Sequence, residues 1–271
     1  MTLRLGWFTS ARGPGSRAMY EAVAGAIAAG EFEARFAFVF CNREPGEHSG
    51  SDGYMTLVQS YDIPLVTHSS QRFRKEQGAP NLASVREAYD REVMALLAEL
   101  TTDLNVLAGY GLIFGAEMAQ KHVSLNLHPA TPDGPIGTWQ QVIWELIENR
   151  ASESGTIIHI ATEDLDRGPP ASYVSFPIHG QGFDDLWAAV AGKDIDALKE
   201  KHGEELPLLQ HIRAEGLRRE RPLLLETLKV FASGRLSIAD RLVVDSDGTP
   251  TSPICLNDEV ERTLAQGGGS D

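Results

Sequence analysis

Cysteine is nearly absent: Cys41 and Cys255 are the only two in 271 residues, too few for a disulfide framework or a four-cysteine metal site. Aromatics make up 7% of the chain, and no run approaches the roughly 18 consecutive apolar residues of a membrane-spanning helix. The opening Met1-Thr2-Leu3-Arg4-Leu5-Gly6-Trp7-Phe8 lacks the apolar core and cleavage site of a signal peptide, so the expected location is cytoplasmic. Basic side chains are also in short supply, 24 against 38 acidic, for a formal net charge of -14. A phosphate backbone is drawn to basic surfaces, so nucleic acid is not an expected partner, and without a spanning apolar run neither is a membrane.

The total conceals an asymmetry. Residues 1–95 hold 10 basic and 11 acidic side chains and are close to neutral, whereas residues 96–271 hold 14 and 27. The chain is long enough to bury a core in one large domain, or in one domain with an appendage.

Short apolar runs alternate with helical patterns through the first half. Leu3 to Phe8, Arg35 to Cys41 and Asp103 to Ala108 read as buried strands, and residues 16–29 and 82–100 carry apolar positions at helical spacing. Strands separated by helices with short connections imply right-handed βαβ units. The fold class is therefore α/β: a Rossmann-like open, mostly parallel sheet with helices on both faces, plus a C-terminal helical extension and short edge strands. Further strands are read at 123–128, 155–161 and 171–178, with a helix at 138–149. The charged stretch 183–233 reads as helices broken at Pro207 and stopped by Gly234. Residues 236–257 read as two edge strands around the turn signal Asp245-Ser246-Asp247-Gly248. Residues 1–180 are expected to form the main domain, 181–262 a helical extension and hairpin packed on it, and 263–271 a disordered tail.

Three loops carry candidate chemistry. Thr9 to Arg17 follows the first strand and opens the first helix; Gly13 and Gly15 let backbone N–H groups approach an anion, Ser16 is placed to cap the helix, and Arg12 and Arg17 add full charges. It matches neither the P-loop nor the dinucleotide fingerprint, and a plain tight turn is the alternative. Asn126-Leu127-His128-Pro129 sets an amide donor and a titratable ring two residues apart at a strand end, on one face of an extended backbone, which suits stabilisation of an oxyanion. The alternative is a loop asparagine and a surface histidine. Asp166, in Leu165-Asp166-Arg167-Gly168-Pro169, could orient His128 or carry a proton, or pair with Arg167 in a solvated turn. His159 alternates within a strand and reads as packed behind the site. The remaining histidines show no metal-ligand spacing, and no metal is expected. No serine or cysteine joins these groups, which argues against covalent acyl transfer.

Taken in order, Asn126-Leu127-His128-Pro129, Gly155-Thr156-Ile157-Ile158-His159 and Leu165-Asp166-Arg167-Gly168-Pro169 resemble the signature of the folate-dependent formyltransferases. Arg86-Glu87-Ala88-Tyr89-Asp90-Arg91-Glu92 and Val106-Leu107-Ala108-Gly109-Tyr110 add to the likeness, which covers about residues 3–180, returns weakly at Phe231 to Leu236, and is nearest to the phosphoribosylglycinamide formyltransferase branch. The resemblance implies attack of a primary amine on the formyl carbon of 10-formyltetrahydrofolate. Asn126 and His128 would stabilise the tetrahedral oxyanion, and Asp166 would hold His128 charged and manage the proton. The folate would rest against Leu107, Ala108, Gly109, Tyr110, Leu112 and Ile113 and the loop with Thr162 and Asp164, with Arg86 near its tail. Gly15, Ser16, Arg17 and Arg12 would hold the phosphate of a small phosphorylated amine, glycinamide ribonucleotide above all.

Several features depart from that branch. Arg17 replaces an asparagine, Tyr110-Gly111-Leu112 lacks an arginine expected to meet the folate glutamate, Thr131 to Pro135 replaces a Leu-Leu-Pro segment, and a helical segment near 182–207 is added. An amino-sugar nucleotide as acceptor, water as acceptor, and a folate-binding module without chemistry are the competing readings. The family's hydrolases carry an N-terminal regulatory domain, for which no room is expected before Leu3. Transfer-RNA formylation needs a nucleic-acid-binding C-terminal domain, and the tail here is acidic. A homodimer is left open.

Overall fold

The computed structural model describes residues 2–180 and 182–267. In chain order the elements are β1 (Leu3–Thr9), α1 (Pro14–Ala28), β2 (Ala34–Cys41), α2 (Ser49–Ser60), β3 (Leu65–Thr67), α3 (Ser70–Glu76), a 3-10 turn (Leu82–Val85), α4 (Arg86–Leu96), β4 (Leu104–Leu107), α5 (Ala116–Lys121) and β5 (Ser124–His128). There follow α6 (Trp139–Glu148), β6 (Glu153–Ile160), β7 (Pro170–Pro177), α7 (Asp184–Val190), α8 (Ile195–His202), α9 (Pro207–Ala232), β8 (Leu236–Ala239), β9 (Leu242–Asp245), β10 (Ile254–Cys255) and α10 (Asn257–Gly267). The class is α/β, mostly parallel and Rossmann-like, as the sequence pattern predicts.

The chain divides into two compact units that interleave in sequence. One takes the residues up to 126, 159–169 and 228–251; the other takes 127–158, 170–227 and the residues from 252. The division does not follow a cut at residue 180.

In the first unit the strand order is β5-β4-β1-β2-β3, and the pairs β1–β2, β1–β4, β2–β3 and β4–β5 are parallel. Leu5, Trp7 and Phe8 of β1 and Phe38, Val39 and Phe40 of β2 are fully buried, the continuous apolar run of a strand covered on both faces. Phe8 is ringed edge-on by Phe38, Tyr110 and Phe114. Tyr89, Val93 and Met94 of α4, with Leu97 just beyond it, close the same core. Parallel strands place their following loops at one end, where the site lies.

The second unit orders its strands β10-β7-β6, with β10 parallel to β7. Its core joins Val142, Ile143 and Ile147 of α6 to Phe176 and Ile178 and to Leu198, Leu206, Leu209 and Ile212. Thr138 and Gln141 form a capping box that starts α6.

Several elements differ from the sequence expectation. α2, β3, α3 and α5 fall in stretches without a clear period. α2 contains two glycines and three serines, so propensity disfavours it, and burial of Tyr54, Met55 and Val58 holds it in place. Pro207 opens the 26-residue α9, and a second proline, Pro222, lies within it. Gly234 ends this run with φ +75. The turn signal at 245–248 does reverse the chain, with Val244 bridged antiparallel to Pro250, and a further, unanticipated hairpin turn joins β8 to β9 at Asp240 and Arg241. These two residues take φ +48 and +63, as a two-residue hairpin turn requires. β8 and β9 form their own antiparallel pair, and only β10 extends a parallel sheet edge. α10 continues to Gly267, into the stretch read as a disordered tail, whose residues 268–271 lie outside those described.

Candidate active site

Asn126, at the end of β5 in the first unit, meets the last turn of β6 and the loop that follows. Ala161 N–H donates to the Ser124 carbonyl at 2.7 Å, and Ile160 N–H to the Pro169 carbonyl at 2.9 Å, which closes residues 160–169 into a loop. Only glycine fits at position 168, because a Cβ there would lie 1.7 Å from the Ile160 carbonyl oxygen. Within the loop Asp166 takes φ +54, a conformation that aspartate tolerates better than most L-residues. The result turns the Asp166 carboxylate inward, with the side chain 7% exposed.

Three polar groups converge there. Nδ2 of Asn126 lies 3.2 Å from Nε2 of His159 and donates at 3.4 Å to Oδ1 of Asp166. His159 Nε2 is 3.6 Å from the same carboxylate oxygen, and its Nδ1 is 3.0 Å from the Ile160 carbonyl. Since the carbonyl can only accept, this network assigns the proton to Nδ1 and leaves Nε2 to accept from the Asn126 amide. Asp166 is therefore a buried group facing Asn126 and His159, not a solvated turn residue.

His128 closes β5 as part of the second unit. It is 4% exposed, and its Nε2 lies 2.9 Å from the Pro135 carbonyl. The loop between them is tightened by the bonds from Ala130 N–H to His128 O and from Gly134 N–H to Thr131 O. Within the first unit, the ring set against Asp166 is that of His159, which the sequence reading assigned to packing alone.

Among the described residues of the first unit, three cavities bear on the site. One of about 40 Å³ is lined by Leu107, Leu112, Ile113, Phe114, Asn126, His159, Ala161, Thr162, Leu165 and Asp166. A second, of about 480 Å³, is lined by Ser10, Arg12, Gly13, Gly15, Ser16, His48, Gly109 and Gly111. A third, of about 270 Å³, shares Ser10, Arg12 and Gly111 with the second and Leu112 with the first, and adds Asn42, Arg43, Ser70, Gln71, Arg74 and Leu82.

Most of the sequence-predicted residues fall on these surfaces, and some do not. Leu107, Leu112, Ile113 and Thr162 line the first cavity, while Gly109, Gly15, Ser16 and Arg12 line the second. Ala108 and Tyr110 are buried in the core, and the Asp164 carbonyl accepts from the Thr162 hydroxyl at 2.8 Å. Helix α1 is capped by Gly13 with Pro14 at its first position, so Ser16 is not the cap; its hydroxyl donates to the Gly13 carbonyl at 3.0 Å. Arg17 is committed to Glu21, one helical turn on, at 3.0 Å. Arg86 lines none of the three cavities. It acts on Asp90, whose carboxyl burial raises to about 6, against the Gly115 N–H bond and the Arg86 charge that favour ionisation.

Sequence reading missed His159, His48, Arg43 and Arg74 as lining groups. Only a βα-loop position marked His48, which caps α2, and Arg43, which follows β2; Arg74, in the last turn of α3, carried no such mark. Among the described residues no group of three or more His, Cys, Asp or Glu could hold a metal ion. None of the described helices is long and apolar enough to cross a membrane.

Comparison with known proteins gives a consistent result. The family described as Formyl transferase matches residues 14–190. The phosphoribosylglycinamide formyltransferase of Escherichia coli K12 is 34% identical over 110 residues, 39% of this chain and 50% of that protein. The Saccharomyces cerevisiae protein of the same name is 30% identical over 126 residues, 43% of this chain and 59% of its own length. The chain thus spans between half and three fifths of these relatives. The phosphoribosylglycinamide formyltransferase of Coxiella burnetii, solved in complex with CHES, superposes with a TM-score of 0.64 at 20% identity, covering 94% of this chain and all of that one. That likeness establishes the fold.

Proposed function

The chain belongs to the formyl transferase family, and from that premise we propose that it transfers a formyl group from 10-formyltetrahydrofolate to the primary amine of a small phosphorylated substrate, first of all glycinamide ribonucleotide, in the cytoplasm. The observation that carries the reading is the convergence of Asn126, His159 and Asp166 on one wall of a cavity whose other walls are apolar.

The chemistry needs an amine to attack the formyl carbon, which turns the formyl oxygen into an oxyanion. An amide N–H already placed there stabilises the developing charge without reorganisation. Both Asn126 amide hydrogens are held in the cluster, but the bond to Asp166 is the longer and weaker, and is the one to yield to a formyl oxygen. Once the neutral amine has added, Asp166 takes the proton from the nitrogen that has become cationic, directly or through water, and delivers it to folate N10 as the C–N10 bond breaks. The products are the N-formyl amine and tetrahydrofolate. His159 fixes the Asn126 amide by accepting its other hydrogen. His128 enters through the family resemblance, as the second group on the oxyanion.

The apolar cavity of about 40 Å³ is smaller than typical ligand sites of roughly 300–1,000 Å³. Seating a pterin ring between Leu112 and Leu165 therefore requires the loop 161–168 to move outward. Two exposed ties set its resting position, the Thr162–Asp164 bond and the Arg241–Glu163 ion pair at 3.0 Å. The glycine-rich cavity at the start of α1 offers an acceptor phosphate the helix N-terminus, Arg12 and His48.

Purified protein mixed with 10-formyltetrahydrofolate and glycinamide ribonucleotide, amino-sugar nucleotides, or buffer alone tests the proposal. Tetrahydrofolate release only with glycinamide ribonucleotide is expected. Equal turnover in buffer would make the protein a hydrolase, and no turnover with any acceptor would remove the activity.

A further inference from the structure

The third cavity has a composition that neither the phosphate cradle nor the apolar wall explains. Its lining brings together Arg12 from the loop after β1, Arg43 from the loop after β2 and Arg74 from α3. Among the described residues none of the three forms an ion pair. The nearest carboxylates in sequence are turned elsewhere: Glu44 pairs with Arg72, and Glu47 accepts from the Ser69 hydroxyl and the Glu44 N–H. Arg74 donates only to the Pro80 carbonyl, at 3.2 Å. Arg43 is half-buried and its Nε has no hydrogen-bond partner, while Oδ1 of the buried Asn42 beside it also lacks one.

Three guanidinium groups around one space repel each other, and a buried N–H without an acceptor is unfavourable. The backbone next to them is strained as well, since Ala11, 2% exposed, is held at φ +51 between Ser10 and Arg12. An anion in the cavity removes the repulsion, and guanidinium forks are suited to phosphate and carboxylate oxygens. The unpartnered Asn42 oxygen adds one acceptor, for an N–H or O–H next to the anionic group.

We propose that Arg12, Arg43 and Arg74 form a second anion-binding site, beside the glycine-rich cradle, that takes a phosphate or carboxylate group of a substrate. Its assignment to a substrate rests on the formyltransferase reading; the anion site itself does not. The shared lining with both neighbouring cavities gives two sources for the anion. Leu112 connects the site to the apolar wall, from which the glutamate carboxylates of a folate tail would reach it. Ser10 and Gly111 connect it to the cradle, from which a second anionic group of the acceptor would reach it.

Titration calorimetry with inorganic pyrophosphate tests the site without turnover. Wild-type protein is expected to bind pyrophosphate, and Arg43→Gln and Arg74→Gln each to weaken it about tenfold or more, with unchanged thermal unfolding. If Arg43→Gln does not fold, Arg43→Lys keeps the charge but loses the fork, and a smaller weakening is expected. Tetrahydrofolate carrying one or three glutamates, and glycinamide ribonucleotide, then assign the source. A loss confined to the triglutamate supports the site and places the donor's tail in it; a loss confined to the ribonucleotide supports the site and places the acceptor's anion there. Equal binding of every probe by wild type and a folded double variant overturns the site, as does a wild type that binds no pyrophosphate. Failure of formyl transfer with pyrophosphate binding intact would strike the formyltransferase reading and leave the site standing.

Discussion

Asn126 and Asp166 lie 40 residues apart in the chain, yet Nδ2 of one stands 3.4 Å from Oδ1 of the other. Two separate features of the sequence produce this approach. A parallel strand carries the amide near its end, and a glycine-dependent loop folds the carboxylate back over it.

Asn126→Ala is expected to lower turnover by about 10²–10³-fold, the usual cost of losing one oxyanion donor, with a much smaller change in KM for folate. Stopped-flow or steady-state release of tetrahydrofolate measures both. Asp166→Asn, which keeps the shape and removes the proton acceptor, should fall at least as far in kcat. An Asn126→Ala enzyme with wild-type kcat would take the amide out of the chemistry.

His128→Ala is expected to abolish turnover while folate still binds, as followed by ligand fluorescence. Retained turnover would exclude His128 from the reaction and leave Asn126, His159 and Asp166 as the whole polar set.

Gly168→Ala tests the loop. The added methyl would meet the Ile160 carbonyl oxygen at 1.7 Å, so the backbone must shift and the Ile160–Pro169 bond that closes the loop should open. A lower Tm, by an amount corresponding to about 1–3 kcal/mol, is expected together with a loss of activity larger than in a control of similar stability such as Val58→Ala. A normal Tm with normal kcat would show that the loop does not need this closure.

Asp90 and His122 make opposed contributions to the pH dependence of stability. Burial raises the Asp90 carboxyl from 3.8 to about 6, so the native state holds that proton more tightly than the unfolded chain. Stability from this group is full below pH 4 and is lost as pH rises through about 6. Burial and the neighbouring Lys121 lower His122 from 6.5 to about 4; its contribution is full above pH 6.5 and is lost as pH falls toward 4. Asp90→Asn keeps an acceptor for the Gly115 N–H, bonded at 2.6 Å in the wild type, and removes only the first contribution. Its Tm is therefore expected to exceed the wild-type value above pH 6, with the difference closing toward pH 4. Thermal melts across pH 4–8 measure this, and a constant offset would contradict the assignment.

Some of this was legible in the chain because it follows from short-range rules. The apolar runs 3–8, 35–41 and 103–108 could only be buried strands, and the helices between them fixed a parallel sheet. Asn126 and His128 were visible because they stand at a strand end beside Pro129, and Asp166 because Gly168 and Pro169 mark its loop. α2 was not visible, since its glycines and serines carry no helical preference and packing of Tyr54 and Val58 supplies the stabilisation. The turn at 245–248 was legible from its glycine, and the chain reverses there with Val244 bridged to Pro250; the turn between β8 and β9 was not, because Asp240-Arg241 lacks the glycine that usually marks such turns.

The near-neutral stretch 1–95 illustrates the division most directly. Sequence alone determined that its arginines exceed what an acidic chain of this size would spread evenly, which made it the stretch in which to expect an anion site. It could not say which arginines, because a guanidinium sits at the end of a long flexible stem and its direction depends on neighbours remote in sequence. Tertiary structure sent Arg17 to Glu21, left Arg86 beside Asp90, and gathered Arg12, Arg43 and Arg74 around one cavity. The same holds for His159, a strand residue by its alternation, which became part of the site only when the loop through Asp166 closed over it. Local preference fixed the elements; side-chain convergence between elements, which has no local signature, fixed the chemistry.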